Sequence, residues 1–503
     1  MSGRSMAYFI GHDLGTGGNK AVLVDEEGTV RSIAMADYPL DHPHPGWAEQ
    51  DPDRWWEAVC RCTREVVRQA GVPATEVAGL AFAGQMLSLV PLDSAGRPTR
   101  PAISWLDGRA AEEARAITRR LGGARVVRRL AGASPTGKDI VAKVRWMSRH
   151  EPRELARTAA LCDATGYLVA RATGRLRMDP TAAGATGMFL AGPRRWSRLL
   201  SAACGFPLDK TAEVVPSTAV AAPLGENAAA ECGLVPGTPV AMGMADIPAA
   251  AVGAGAVRPG DGHVYLGTSA WIGVTVRRPL SVGRAGIASV PSAGRRHALA
   301  IGESETAGAC RDWLLRELGT QEDATSFDRL ASRVPPGADG LLFVPWMYGE
   351  RSPVPDAAVR GAFVNLSLQH GRAHMMRAVY EGVALNLRWI VDEMDSAGER
   401  CPTLRAIGGG ATSDLWLQVL ADATGRPIER VAEPRAAGAV GAALVAAVAV
   451  GTLPDLAASR DRVRVERRFE PDPERARRYD RALEALRALH VPLSEAGERL
   501  GGR

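Results

Sequence analysis

Short apolar runs broken by glycine-rich or acidic turns open the chain. Residues 7–11, 21–25 and 30–38 read as strands, with Asp25-Glu26-Glu27-Gly28 as a hairpin turn. From residue 51 to 69 the apolar spacing becomes helical, and Asp51-Pro52-Asp53 has the composition of a helix N-terminus. Strands over 77–83 and 88–92 follow, then helices over 110–121 and 153–173. Residues 240–244 form a short strand that runs into an alanine-rich helical stretch, 248–256. Past Arg258-Pro259-Gly260-Asp261-Gly262 the pattern restarts, with strands at 263–266, 271–276, 298–303 and 404–407 and helices at 307–318, 374–395 and 414–424. The spacing therefore predicts two α/β domains, 1–257 and 258–503.

Each half opens with the same device. Asp13-Leu14-Gly15-Thr16-Gly17-Gly18 and Tyr265-Leu266-Gly267-Thr268-Ser269 both follow a strand. A strand running into a Gly/Thr turn offers backbone N–H groups and a hydroxyl to phosphate, and glycine permits close approach. One such turn in each half suggests a nucleotide held between two similar domains.

Composition narrows the class. The chain has 503 residues, too many for one core, and is 46% hydrophobic and 23% charged, which is the profile of a globular protein. A net charge of +5 without a basic tail gives no support to nucleic-acid binding. Only four of the 61 cations are lysines (Lys20, Lys138, Lys143 and Lys210). The seven cysteines lack CxxC spacing, and the start of the chain lacks a long apolar segment, so a reduced, cytoplasmic protein with buried thiols is expected. Residues 436–453 carry no charge apart from their flanks, but their Ala/Gly/Val content predicts a buried, close-packed helix and no membrane span.

Several further segments, taken in order, give the chain a specific resemblance. These are Pro45-Gly46-Trp47-Ala48-Glu49-Gln50-Asp51-Pro52 followed by Trp55-Trp56, then Gly84-Gln85-Met86, and the Trp105-Leu106-Asp107-Gly108-Arg109 segment. They continue with Gly349-Glu350-Arg351-Ser352-Pro353 before Gly361-Ala362-Phe363, and with Gly408-Gly409-Gly410-Ala411 before Trp416-Leu417-Gln418. Across nearly its whole length the chain resembles the FGGY family of carbohydrate kinases, and within it the xylulokinases most. The resemblance implies two actin/hexokinase-like (ribonuclease H-like) α/β domains around a cleft. It also implies ATP and Mg²⁺, a small sugar or polyol acceptor such as a ketopentose, and a homodimer.

Carried onto this sequence, the resemblance makes Asp246 the catalytic base. Its local sequence, a carboxylate between an apolar run and an alanine-rich stretch, fits a helix N-cap equally well. Asp13 becomes the Mg²⁺ residue, directly or through water, and Thr16, Gly17, Gly18, Gly267, Thr268 and Ser269 cradle phosphate. Lys20 either adds charge there or ends an exposed strand. Gly409, Gly410 and Ser413 fall on the adenosine loop, and Gln85, Met86, Leu87, Trp105, Asp107 and Ile247 on the sugar side. Against the xylulokinase pattern, Leu87 replaces a histidine, Ile247 a polar residue, Met244-Ala245 two glycines and Asn365 a signature glycine. These losses keep open a different polyol or sugar acid, or a sugar-binding pseudokinase on the same fold. Three other signals are set aside. Gly132 to Lys138 starts like a P-loop but continues with Asp139, where a Ser or Thr is needed. His42-Pro43-His44 lacks partner ligands, and Gly253-Ala254-Gly255 lacks a dinucleotide context.

Overall fold

Strands Tyr8–Leu14 (β1), Gly18–Asp25 (β2) and Val30–Asp37 (β3) form an antiparallel meander in this computed structural model, which describes residues 6–131, 135–190, 193–294, 296–318 and 324–501. After helix Pro52–Ala70 (α1), strand Val77–Gly84 (β4) returns parallel to β1. Helices Ile140–His150 (α2), Ala164–Thr173 (α3) and Pro180–Ala185 (α4) precede strands Val220–Pro223 (β5), Pro239–Ala241 (β6) and Met244–Ala245 (β7). Helix Asp246–Gly253 (α5) closes this half. The sheet runs β5-β6-β4-β1-β2-β3, with β7 also paired to β4.

The second half contains Gly262–Leu266 (β8), Ala270–Val276 (β9), Ala288–Pro291 (β10) and Ala298–Ser304 (β11). Helix Gly308–Glu317 (α6), strand Leu404–Ile407 (β12), helix Asp414–Thr424 (α7), strand Ile428–Val431 (β13), helix Ala437–Ala449 (α8) and strand Val465–Phe469 (β14) follow. Its sheet runs β10-β11-β9-β8-β12-β13-β14. The path β11-β9-β8-β12-β13-β14 repeats β3-β2-β1-β4-β6-β5, with the same parallel and antiparallel pairings. The two-domain α/β expectation therefore holds, with each sheet wider than five strands.

The differences from the spacing have local causes. Strand β1 runs through polar His12 and Asp13 because His12 is buried against Asn19 and Thr63, each 3.2 Å from a ring nitrogen. The helix expected over 153–173 is split into Pro152–Arg157, a buried strand Ala160–Cys162, and α3, whose N-cap Asp163 accepts the Gly166 N–H at 2.9 Å. The strand expected over 240–244 breaks at Gly243, where φ is +72° and an added Cβ would overlap the Phe82 carbonyl. The seven cysteines are buried, and the sulfur nearest Cys60 belongs to Cys232 at 3.3 Å, not to neighbouring Cys62. The first three residues of the P-loop-like segment lie outside the described residues.

The uncharged stretch becomes α8, buried from Ala437 to Ala447. No described helix is long and apolar enough to cross a membrane. Although α8 lies in sequence between β13 and β14 of the second sheet, it packs on β1 and β4 of the first sheet and crosses α5. The crossing is backbone against backbone. A Cβ at Gly253 would overlap the Ala437 carbonyl, one at Gly441 the Ala249 carbonyl, and one at Gly11 the Ala439 carbonyl. Such a contact tolerates no added methyl without moving a helix. Gly441→Ala is expected to lose ~1–3 kcal/mol of stability in denaturant unfolding. Gly17→Ala, with open space around its Cα, is expected to unfold like wild type. An unchanged midpoint for Gly441→Ala would disprove the close crossing.

Candidate active site between the two halves

Two carboxylates stand at the ends of parallel strands. Asp13 is near the end of β1, in register with Ala83 of β4, and Asp246 follows Ala245, which is in register with Gly84. With β4 between them, two inter-strand spacings separate their strands, about 10 Å. Strand β7, which leads into Asp246, is only two residues long, and hydroxyls hold both sides of its central peptide. Thr165 Oγ1 donates to the Met244 carbonyl at 3.0 Å, and the Ala245 N–H donates to Thr181 Oγ1 at 2.9 Å. These threonines come from the first turns of α3 and α4. Asp246 is the first residue of α5, and its Oδ1 accepts N–H bonds from Ile247 at 2.9 Å and Met86 at 3.2 Å.

Burial pushes the Asp246 carboxyl up to about 7, and the negative charges of Asp13 and Glu303 add to the rise. Asp13 is also raised, chiefly by burial, while the Lys20 ammonium opposite it in β2 pulls the other way. The Asp13 carboxylate lies against the first turn of α8, where a Cβ on Gly438 would collide with it. Tyr265 of β8 is near both carboxylates: burial and then their charges push its hydroxyl up to about 12. The two halves thus meet at Asp13, Asp246 and Tyr265.

The first glycine turn is a hairpin closed by the Gly15 N–H on the Gly18 carbonyl at 3.0 Å. Gly17 has open space above it, and Gly18 lies close against Ala36 and Asp37 of β3. Thr16 Oγ1 accepts the Trp105 indole N–H at 2.8 Å, which joins the turn to the sugar-side segment. The Lys20 ammonium donates to the Arg435 carbonyl and so ties the two halves together. In the second half, the Gly267 and Thr268 carbonyls accept N–H bonds from Ala307, Gly308 and Ala309, at and just before the start of α6. The Gly267 N–H donates to the Ser269 carbonyl at 2.9 Å. Tyr265 pairs in register with Ile407, which sets this turn beside Gly408 to Gly410. Gly408 has φ +90° and Gly410 packs under Leu266 and Trp416, whereas Gly409 faces open space. Ser413 caps α7 through the Trp416 N–H at 3.1 Å.

The sugar-side candidates divide. Met86 reaches Asp246 with its backbone, Trp105 reaches Thr16, and Ile247 is partly exposed beside Asp246. Gln85 is buried, with its Nε2 donating to Gln50 Oε1 at 2.8 Å and its Oε1 accepting from Ser88 at 3.0 Å. Asp107 is also buried, accepting the Ala48 N–H at 2.6 Å and pairing with Arg109 at 2.7 Å. Leu87 packs against an apolar cluster with φ +64°. Asn365, in a glycine's place, also has positive φ (+63°), which asparagine tolerates, and its side chain donates to the Gly340 carbonyl.

Sequence reasoning missed three participants. Gln50 donates to the Thr16 carbonyl at 2.7 Å, and its only signal was its place in the Pro45–Pro52 motif. Gly438 had no local signal. Lys143 stood out only as a lysine within an apolar helical run; it is buried, and its ammonium donates to the Leu87 and Ser104 carbonyls.

The chain is similar to known proteins over nearly its whole length. The models of the FGGY family of carbohydrate kinases match residues 8–253 for the N-terminal domain and 262–450 for the C-terminal domain. The chain is 30% identical to the xylulose kinase of Escherichia coli, over 96% of this chain and 99% of that protein. Among solved structures, the Lactobacillus acidophilus xylulose kinase superposes with a TM-score of 0.90 at 25% identity, over 98% of this chain and 100% of that one. The gluconate kinase of the same organism also superposes at 0.90 and 25%, over 99% and 100%.

The Asp246 environment has a stability consequence. An unfolded aspartate holds its proton only to about pH 4. The folded carboxyl holds its proton to about 7. Between those values the folded state binds more protons, so this group lowers stability as pH rises through the window. Asp246→Asn is expected to melt above wild type at pH 8, with the gap closing toward pH 4. Identical melting at both pH values would show that the carboxylate is not held against its ionisation.

Proposed function

The chain belongs to the FGGY family of carbohydrate kinases, ATP-dependent enzymes that phosphorylate an alcohol group, and from that premise we propose that its acceptor is a ketopentose such as xylulose and that Asp246 takes the acceptor's proton. The observation carrying this reading is Asp246 itself: a carboxylate at a strand-to-helix switch, raised to about 7 by burial and by the charge of Asp13, which precedes the first phosphate turn. A base with its pKa near the working pH balances proton affinity against availability. Its two N–H bonds fix one oxygen and leave the other to meet a hydroxyl.

In this reading Thr16 to Gly18 and Gly267 to Ser269 approach the phosphates from opposite halves, and Gly409 leaves a flat surface for adenine. Asp13 fits Mg²⁺, which takes one or two carboxylates and leaves its other positions to water and phosphate. Bound there, the ion supplies neutralisation of phosphate charge. The chain's own residues orient the hydroxyl for in-line attack and accept its proton at Asp246. Closure of the two halves excludes water that would otherwise compete with the sugar. A sugar acid is the second reading, favoured by the equal likeness to gluconate kinase.

Sugar-dependent ADP release, measured with Mg²⁺-ATP and a panel of ketopentoses, pentitols, hexuloses and sugar acids, tests the proposal. One ketopentose is expected to raise turnover well above background, with kcat rising with pH through about 7 as Asp246 loses its proton. Asp246→Asn is expected to lower kcat by ~10²–10⁴-fold. Preference for gluconate would replace the substrate assignment, and full activity in Asp246→Asn would remove the base.

A further inference from the structure

Lys143 projects from the apolar face of α2, where Ile140, Val141, Ala142, Val144 and Met147 are buried. Its side chain is fully buried (0% exposed) and, among the described residues, makes no hydrogen bond or ion pair with a carboxylate. Its ammonium donates instead to two backbone carbonyls, Leu87 at 2.8 Å and Ser104 at 2.9 Å. Those carbonyls belong to the two sugar-side segments. Next to Leu87, the Met86 N–H holds Asp246, and next to Ser104, the Trp105 indole holds Thr16 of the phosphate turn. Leu87 has φ +64°, a conformation that costs a leucine energy and persists only when its surroundings hold it. A lysine has the compact head and three donors needed to reach two carbonyls in so small a space.

We propose that Lys143 is a positioning residue for the acceptor: it fixes the separation of the Met86–Leu87 and Ser104–Trp105 backbones and thereby sets which sugars bind. The proposal rests on the kinase reading above. Removing the ammonium takes its donor from the buried Leu87 carbonyl and leaves the Ser104 carbonyl with the Asp107 N–H at 3.1 Å, which lets the two segments part. On the nucleotide side only Thr16 is linked to them, through Trp105, and its turn stays closed by the Gly15–Gly18 bond.

The test is steady-state kinetics on full-length Lys143→Met, with the best sugar of the panel and with ATP varied in turn. The sugar KM is expected to rise about tenfold or more with the ATP KM unchanged. In a Leu87→Gly background, where φ +64° carries no side-chain penalty, the same substitution is expected to raise the sugar KM less than about threefold. Should Lys143→Met not fold, the pH dependence of sugar binding to Asp246→Asn, in which Asp246 no longer titrates near 7, still decides. Burial lowers the Lys143 ammonium to about 7, against the pull of Asp107 and Asp139 and with the push of Arg109 and Lys138. The sugar Kd of Asp246→Asn is therefore expected to rise as pH passes upward through neutrality. Sugar and ATP KM values that move together, an equal effect in both backgrounds, or a sugar Kd of Asp246→Asn flat across neutrality each overturn the proposal while leaving the kinase reading intact. A wild type without sugar-dependent turnover overturns both.

Discussion

The contact between α5 and α8 fixes the relation of everything else. Helices held apart by side chains can slide or repack, but here glycines at 253, 441 and 11 bring carbonyl oxygens against Cα atoms. Asp246 heads one of these helices, and Gly438, in the first turn of the other, abuts Asp13. The separation of the two carboxylates, and the meeting of the two halves around them, therefore depends on the absence of three side chains. The Lys20 bond to the Arg435 carbonyl pins the same junction from the β2 side.

Close packing has an electrostatic result. Removing water around Asp13 and Asp246 disfavours their charged forms, and each charge disfavours the other. Tyr265 feels both. A phosphoryl-transfer site works through positioned charge in a dry cleft, and the buried pair Asp13 and Asp246 places two like charges where the halves meet. The stability given up at Asp246 accompanies that arrangement.

Much of the architecture was legible because the repeat is written in spacing. Both Gly/Thr turns follow apolar strands, and the restart after Gly262 marks the second sheet. Asp246, Met86 and Trp105 could be picked out as well, because motif order singles out particular residues. Gln85 and Asp107 were read as sugar-facing, yet the structure engages their side chains with Gln50, Ser88, Ala48 and Arg109. A polar residue in a motif does not announce whether its partner is a ligand or a backbone amide. Lys143 and Gly438 escaped notice for a related reason: one is defined by carbonyls on distant segments, the other by a carboxylate more than four hundred residues away. The helix expected over 153–173 failed because Asp163, which looks unremarkable in a helical window, caps a new helix after a buried strand.

The two threonines that hold β7 carry a consequence for how such an enzyme diverges. A full neighbouring strand would tie every residue of its partner to one pleat and one register. Hydroxyls from Thr165 and Thr181 restrain only the Met244 carbonyl and the Ala245 amide. Ile247, just past the ladder and partly exposed, makes no pair in it, so a change of its side chain leaves the β7–β4 register as it is. Position 247 can then change its side chain while the strand that leads into Asp246 keeps its place.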